Sequence, residues 1–80
     1  MHRILKLLGR NVRAHRLARG MTLEQLCAKA EVSLYLLKRI EAGKSNPGIY
    51  VVFRLSRALG MHPADMFVPA PPRGSRRRKK

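Results

Sequence analysis

Residues 22–43 read TLEQLCAKAEVSLYLLKRIEAG, and the order of caps, apolar positions and breaks in that stretch decides how the chain folds. Thr22 is followed three residues later by Gln25, the spacing at which each side chain satisfies a backbone N–H that a helix start leaves unpaired, so a helix begins there. Leu23, Leu26, Cys27 and Ala30 recur at helical intervals while Glu24 and Lys29 fall on the opposite side, and the helix is predicted to run to Ala30. After a break at Glu31-Val32-Ser33, Ser33 caps the next helix, whose inward stripe is Leu37 and Ile40 and whose end is Gly43. Two short helices therefore meet across a three-residue break.

Upstream, Ile4, Leu5, Leu8 and Val12 lie at helical spacing, with Arg3, Lys6, Arg10, Arg13 and Arg19 largely off that stripe. The spacing predicts a helix over 3–18, stopped by Gly20, after which Met21 turns back toward the core. Downstream, Lys44-Ser45-Asn46-Pro47-Gly48 is a dense turn cluster, and Val52, Leu55, Ala58 and Leu59 then mark a fourth helix that Gly60 stops. Pro63 to Phe67 has room for one short fifth helix, with Pro63 in the first turn, where its missing N–H costs nothing, and His62 as the cap. There is neither strand-like alternation nor an internal repeat. The expectation is an all-α, compact five-helix domain over residues 1–68, followed at 69–80 by a segment that Pro69, Pro71, Pro72, Gly74 and a run of cations mark as disordered.

Eighty residues are enough for one domain with a modest core. The anomaly lies in the charge: eighteen basic residues against four acidic ones give +14. Six of the basic residues crowd into the last eight positions, which still leaves twelve basic against four acidic over residues 1–72, so the domain itself is strongly cationic. Such a field speeds encounter with polyanions, and counterion release from phosphates supplies most non-specific nucleic-acid affinity. Two helices across a tight break in a basic domain outline a helix-turn-helix, and together they point to double-stranded DNA.

Other chemistries find little to work with. His2, His15 and His62 are scattered over different elements, and Asp65 is the sole aspartate. Cys27 sits on an apolar stripe without a neighbouring base, which reads as packing rather than catalysis. One cysteine closes no internal disulfide and no Cys/His cluster has zinc spacing, so neither an enzyme, a metal nor a cofactor is expected. No apolar run reaches the ~20 residues that cross a bilayer. A reducing cytoplasm suits such a chain.

The motifs taken in order, Leu8-Gly9-Arg10-x-Val12-Arg13, Arg16, Gly20-Met21-Thr22-x-x-Gln25-Leu26, Val32-Ser33, Leu37-x-Arg39-Ile40-Glu41-x-Gly43-Lys44-x-Asn46-Pro47, Leu55-Ser56-Arg57-Ala58-Leu59-Gly60-Met61 and Met66-Phe67, resemble the Cro and phage-repressor type of helix-turn-helix protein, also called the xenobiotic-response-element family. The resemblance covers roughly residues 8–67. It implies a lambda-repressor-like fold of five helices, in which residues 22–41 form the helix-turn-helix unit and the third helix enters the major groove. It also implies a bacterial or phage-type cytoplasmic protein associated with the nucleoid. By the same resemblance, Arg16 and Glu41 form an ion pair between the first and third helices. Its DNA-facing positions fall on Thr22 and Leu23, on Ser33, Leu34, Tyr35, Lys38 and Arg39, and on Lys44, Ser45 and Asn46 of the following loop. On chemistry, Thr22 and the loop suit phosphate and Arg39 suits guanine.

The chain departs from the family's usual pattern at several places. Leu23 stands where many relatives carry glutamine, and Leu34, Tyr35 and Leu36 make the start of the third helix apolar, a composition that also suits a protein contact. Glu31 takes a turn position that is often glycine, and His15 replaces a core leucine. Two functions follow as expectations. The first is a sequence-specific transcriptional regulator, a dimeric repressor or autoregulator that pairs through Met61, Met66, Phe67 and Val68. The alternative is a protein-interaction module of antitoxin or anti-repressor type that holds DNA weakly through its charge.

Overall fold

The computed structural model describes residues 2–69, and among them the chain forms four α-helices, α1 (His2–Ala18), α2 (Leu23–Ala30), α3 (Leu34–Glu41) and α4 (Ile49–Ala58), followed by a 3-10 helix over Pro63–Phe67. The domain is all-α. The expected disordered tail lies outside the described residues from position 70 onward.

The caps operate locally. Thr22 Oγ1 accepts from the Gln25 N–H at 3.0 Å while Gln25 Oε1 accepts from the Thr22 N–H at 2.8 Å, the reciprocal pair that starts α2. Ser33 Oγ accepts from the Leu36 N–H at 3.0 Å and starts α3. Between them Glu31 holds a left-handed conformation, φ 59° and ψ 48°, which costs an ordinary side chain about 1–2 kcal/mol and is the physical reason glycine suits this turn better.

The short fifth helix expected over Pro63 to Phe67 is of the 3-10 kind, so the α-helices number four among the described residues. Pro63 supplies no N–H, five residues allow little propagation, and the Asp65 N–H closes an i→i+3 bond to the His62 carbonyl at 2.9 Å. His62 is its cap, with Nδ1 accepting from the Ala64 N–H at 3.1 Å. In α1 the apolar stripe outruns the elements that cover it. Leu8 and Val12 are buried and Leu5 is half-buried, but Ile4 is 54% exposed.

The core is Leu8 and Val12 of α1, Leu26 and Ala30 of α2, Leu37 and Ile40 of α3, Val52, Leu55 and Ala58 of α4, and then Leu59 and Met66. Helix α1 packs on α3 and the 3-10 helix, while α2 packs on α3 and α4. Two close approaches set the α1–α3 geometry. A methyl group on Gly9 would overlap the Ile40 carbonyl oxygen and lie 2.9 Å from that of Glu41, so the backbones of the two helices touch there. Gly43, at φ 74°, ends α3 against Lys6, whose Cα lies 3.1 Å from where a side chain would start.

Asn11 anchors the other side of α1. Buried to 2% exposure, its Nδ2 donates to the carbonyls of Met66 and Val68, both at 2.7 Å, and so fastens the 3-10 helix to a residue more than fifty positions earlier. His15, also on α1, is half-buried. Arg19 donates to its carbonyl at 2.9 Å and lies 3.3 Å from Nδ1, a contact that needs an unprotonated Nδ1. Burial first, and then the Arg19 charge, hold the His15 pKa below the ordinary 6.5, with Asp65 acting in the opposite direction.

Gly9→Ala is expected to destabilise the domain by about 1–3 kcal/mol despite alanine's better helix propensity, because backbone rather than a flexible side chain occupies the space. A melting temperature equal to wild type would refute the close approach. His15 sets a pH dependence: the unfolded chain takes up its proton near 6.5, whereas the folded one resists it. Stability is therefore full above 6.5 and falls as the pH drops from there toward the lower folded-state value. Denaturant titrations between about pH 7 and 5 should show this slope in wild type and a flatter one in His15→Leu.

Candidate nucleic-acid interface

The surface that α2 and α3 present is held from beneath by Arg16. Its Nε donates to Glu41 Oε2 at 2.7 Å, Nη2 donates to Oε1 at 3.0 Å, and Nη1 donates to the Met21 carbonyl at 2.8 Å. Both side chains of the pair are only 9% exposed. The hydrogen bonds to Glu41 raise the Arg16 pKa further above its already high ordinary value, so the cation is permanent. One guanidinium thus joins α1, the turn that enters α2 and the last residue of α3.

On that frame the outer residues of α3 are free of the core. Tyr35 is 74% exposed, Lys38 and Arg39 are exposed, and Leu34 is half-buried. Leu36 turns inward and packs against the core. The Arg39 guanidinium lies 5.9 Å from the centroid of the Tyr35 ring, one turn earlier, and its Nη2 donates to the Lys44 carbonyl at 2.8 Å. It is stacked at one side and tethered at the other, with donors left over for an external partner. Lys44 and Asn46 are exposed and Ser45 is half-buried, so the loop after α3 adds a cation and polar groups beside Arg39.

At the start of α2, Thr22 is exposed but its hydroxyl is already the cap acceptor. Leu23 is half-buried, in keeping with its place on the stripe of Leu26, Cys27 and Ala30. Its side chain packs against the core, and what this position offers outward is the first-turn backbone, where helix amides lack intrahelical partners. Ser33 likewise uses its hydroxyl as a cap. Cys27 is half-buried, and burial pushes its thiol pKa up, away from nucleophile chemistry. Among the described residues no group of three His, Cys, Asp or Glu side chains could hold a metal, and no helix is long and apolar enough to cross a membrane.

The residues expected to pair two subunits separate in the structure. Met66 is fully buried in the core of its own protomer and Met61 packs against that core, so neither forms an external face. In a 3-10 turn three residues complete the circle, which sends Met66 inward and leaves Phe67 and Val68 41% and 48% exposed. Phe67 shares a groove with Ile49 and Phe53 of α4, which are 82% and 47% exposed, and Tyr50 on the same helix is 76% exposed. A groove of about 440 Å³ runs between the two elements, lined by Pro47, Ile49, Val52, Phe53, Pro63, Ala64 and Phe67. The signal was present in the sequence, since these apolar residues fall off the inward stripe of Val52, Leu55 and Ala58.

Comparison with known proteins agrees with this geometry. Residues 12–66 match the family described as Helix-turn-helix, HTH_3. The chain is 32% identical over 64 residues to the uncharacterized HTH-type transcriptional regulator y4dJ of Sinorhizobium fredii, covering 80% of this chain and 83% of that protein. Its structure is similar to the restriction-modification controller protein C.AhdI from Aeromonas hydrophila, with a TM-score of 0.76 at 25% identity over 79% of this chain and 96% of that one. It is also similar to the clp gene regulator ClgR from Corynebacterium glutamicum, with a TM-score of 0.75 at 28% identity over 79% and 67% of the two chains. With the capped α2–turn–α3 unit and the arginine that locks it both in place, the chain belongs to the helix-turn-helix (HTH_3) family, of the Cro and phage-repressor type of DNA-binding protein.

Proposed function

We propose that the protein is a sequence-specific transcriptional regulator that seats α3 in the major groove and acts as a dimeric repressor or autoregulator on a two-fold operator. The observation that carries this reading is the outer face of α3. Tyr35, Lys38 and Arg39 project from a helix whose opposite side is fixed in the core, and the exposed Lys44 extends the face into the next loop. Arg39 has the chemistry of a base reader, since a guanidinium can meet both major-groove acceptors of guanine, and its stacking on Tyr35 lowers the entropy lost on doing so. Lys44, Ser45, Asn46 and the start of α2 at Thr22 and Leu23 hold phosphate, the last through helix amides. Ser33, Leu34 and Tyr35 sit at the end of α3 that leads into the groove, where Leu34 can touch a thymine methyl.

The partner subunit is a second copy that covers Ile49, Tyr50, Phe53, Phe67 and Val68. Exposed apolar side chains on α4 and at the end of the 3-10 helix suit burial against the same face of a second copy, and symmetric pairing matches two half-sites on one side of a duplex.

Two measurements test these assignments. Arg39→Ala should cost about 1–3 kcal/mol at one operator position and narrow the gap between specific and scrambled duplexes, whereas Lys44→Ala should weaken both alike. Equal losses on both duplexes in both variants would remove the base-reading role and favour a charge-only binder that serves a protein partner. Ile49→Asp and Phe67→Asp, both at exposed positions, should convert a dimer to a folded monomer in sedimentation and lower operator affinity. Unchanged sedimentation profiles would eliminate the pairing face.

A further inference from the structure

The helix-turn-helix leaves a row of cations on α1 unused. Arg3, Lys6, Arg10 and Arg13 are all exposed, and their spacing of three, four and three residues places them on a single stripe of α1, about 15 Å long at 1.5 Å per residue. Helix stability does not ask for this arrangement. The seventeen residues of α1 contain no acidic residue, and its first turn carries Arg3 where the positive end of the helix dipole favours a carboxylate. Like charges one turn apart repel, and a face that served only solubility would interleave signs. Among the described residues the one ion pair is Arg16 with Glu41, so no carboxylate neutralises the stripe.

The position of the stripe indicates its partner. Lys6 and Arg10 line a depression with Glu41, Ala42 and Gly43 at the end of α3, and the Lys6 Cγ lies 3.0 Å from where a Gly43 side chain would start. Lys44 is the next residue. The α1 cations therefore lie beside the loop after α3, separated from Lys44 only by the end of α3, where the Glu41 carboxylate is already paired with Arg16, along the edge of the surface that faces DNA in the proposed function.

We infer that the Arg3-Lys6-Arg10-Arg13 stripe is a second phosphate-binding track, which engages the backbone of duplex DNA beside the segment that α3 reads. The inference rests on the DNA-binding reading and adds to it a surface outside the helix-turn-helix. The track contributes affinity and salt dependence but no sequence preference, because four point charges or forks on phosphate carry no base information.

The test uses the full chain and a mixed-sequence duplex of ~30 base pairs, about three helical turns, with affinity measured from ~50 to ~200 mM salt. Arg3→Gln with Arg13→Gln, a pair that leaves the α1–α3 contact intact, should flatten the slope of log affinity against log salt by up to about 1.8, and the quadruple glutamine variant by up to about 3.6. Lys29→Gln with Arg54→Gln removes the same charge from the α2–α4 side and should leave the slope as in wild type. Helicity of each variant by circular dichroism checks the fold. Slopes unchanged in the stripe variants, or changed equally in the control pair, would overturn the track while leaving the α3 reading intact. A wild-type chain that binds no duplex even at low salt would overturn both. Stripe variants that lose affinity for polyglutamate but not for duplex would replace the DNA backbone with an acidic protein.

Discussion

The Arg16–Glu41 pair, with the third bond from Arg16 to the Met21 carbonyl, is the constraint on which the rest of this domain depends. An eighty-residue chain has too small a core to position α3 by apolar packing alone, since α3 offers only Leu37 and Ile40 as fully buried side chains. A bidentate charge-assisted contact supplies direction where hydrophobic burial supplies only attraction. Its energetic weight lies in the asymmetry of burial. The intact pair roughly offsets its own desolvation, but removing either member strands the other in a site only 9% exposed, at a cost of about 3–5 kcal/mol.

The same economy appears on the far side of α1. Asn11 closes the C-terminal end of the fold by donating to two carbonyls that a short 3-10 helix cannot satisfy internally. Helix α1 thus carries two polar anchors facing different neighbours, Arg16 toward α3 and Asn11 toward the 3-10 helix, with Leu8 and Val12 between them. Its exposed arc carries the cations Arg3, Lys6, Arg10 and Arg13 together with the exposed Ile4 and Leu17. Secondary structure, polar anchoring and surface charge are therefore divided over one helix by register alone.

What was legible in the sequence was local. The Thr22–Gln25 box, the Ser33 cap, the glycine stops and the inward stripes of α2, α3 and α4 involve residues a few positions apart, and their physics does not wait for the fold. Asn11 was not legible in this way, because its partners lie more than fifty residues downstream and a polar residue beside Leu8 and Val12 gives no hint of them. The orientation of Met66 against Phe67 was also hidden, since it turns on whether five residues wind as an α or a 3-10 helix. Leu23 was legible as part of the apolar stripe of α2, and its side chain packs on the core there. The stacking of Arg39 on Tyr35 follows from their spacing of four on α3, whereas its tether to the Lys44 carbonyl depends on the path of the following loop and was not legible.

The contact at Gly9 has a consequence for how this protein can change over time. Because α3 is registered against α1 by main chain on one side and by a buried ion pair at its end, its placement is set from the inner side, and the outer face adds only the Arg39 bond to the Lys44 carbonyl, which acts on the loop that follows. Tyr35, Lys38 and Arg39 can be exchanged for other side chains without moving the helix that carries them. Under the proposed function, preference is then separable from architecture: a change of target site asks only for surface substitutions on α3, whereas changes at the scaffold positions Gly9, Asn11, Arg16 and Glu41 disturb the packing that holds it.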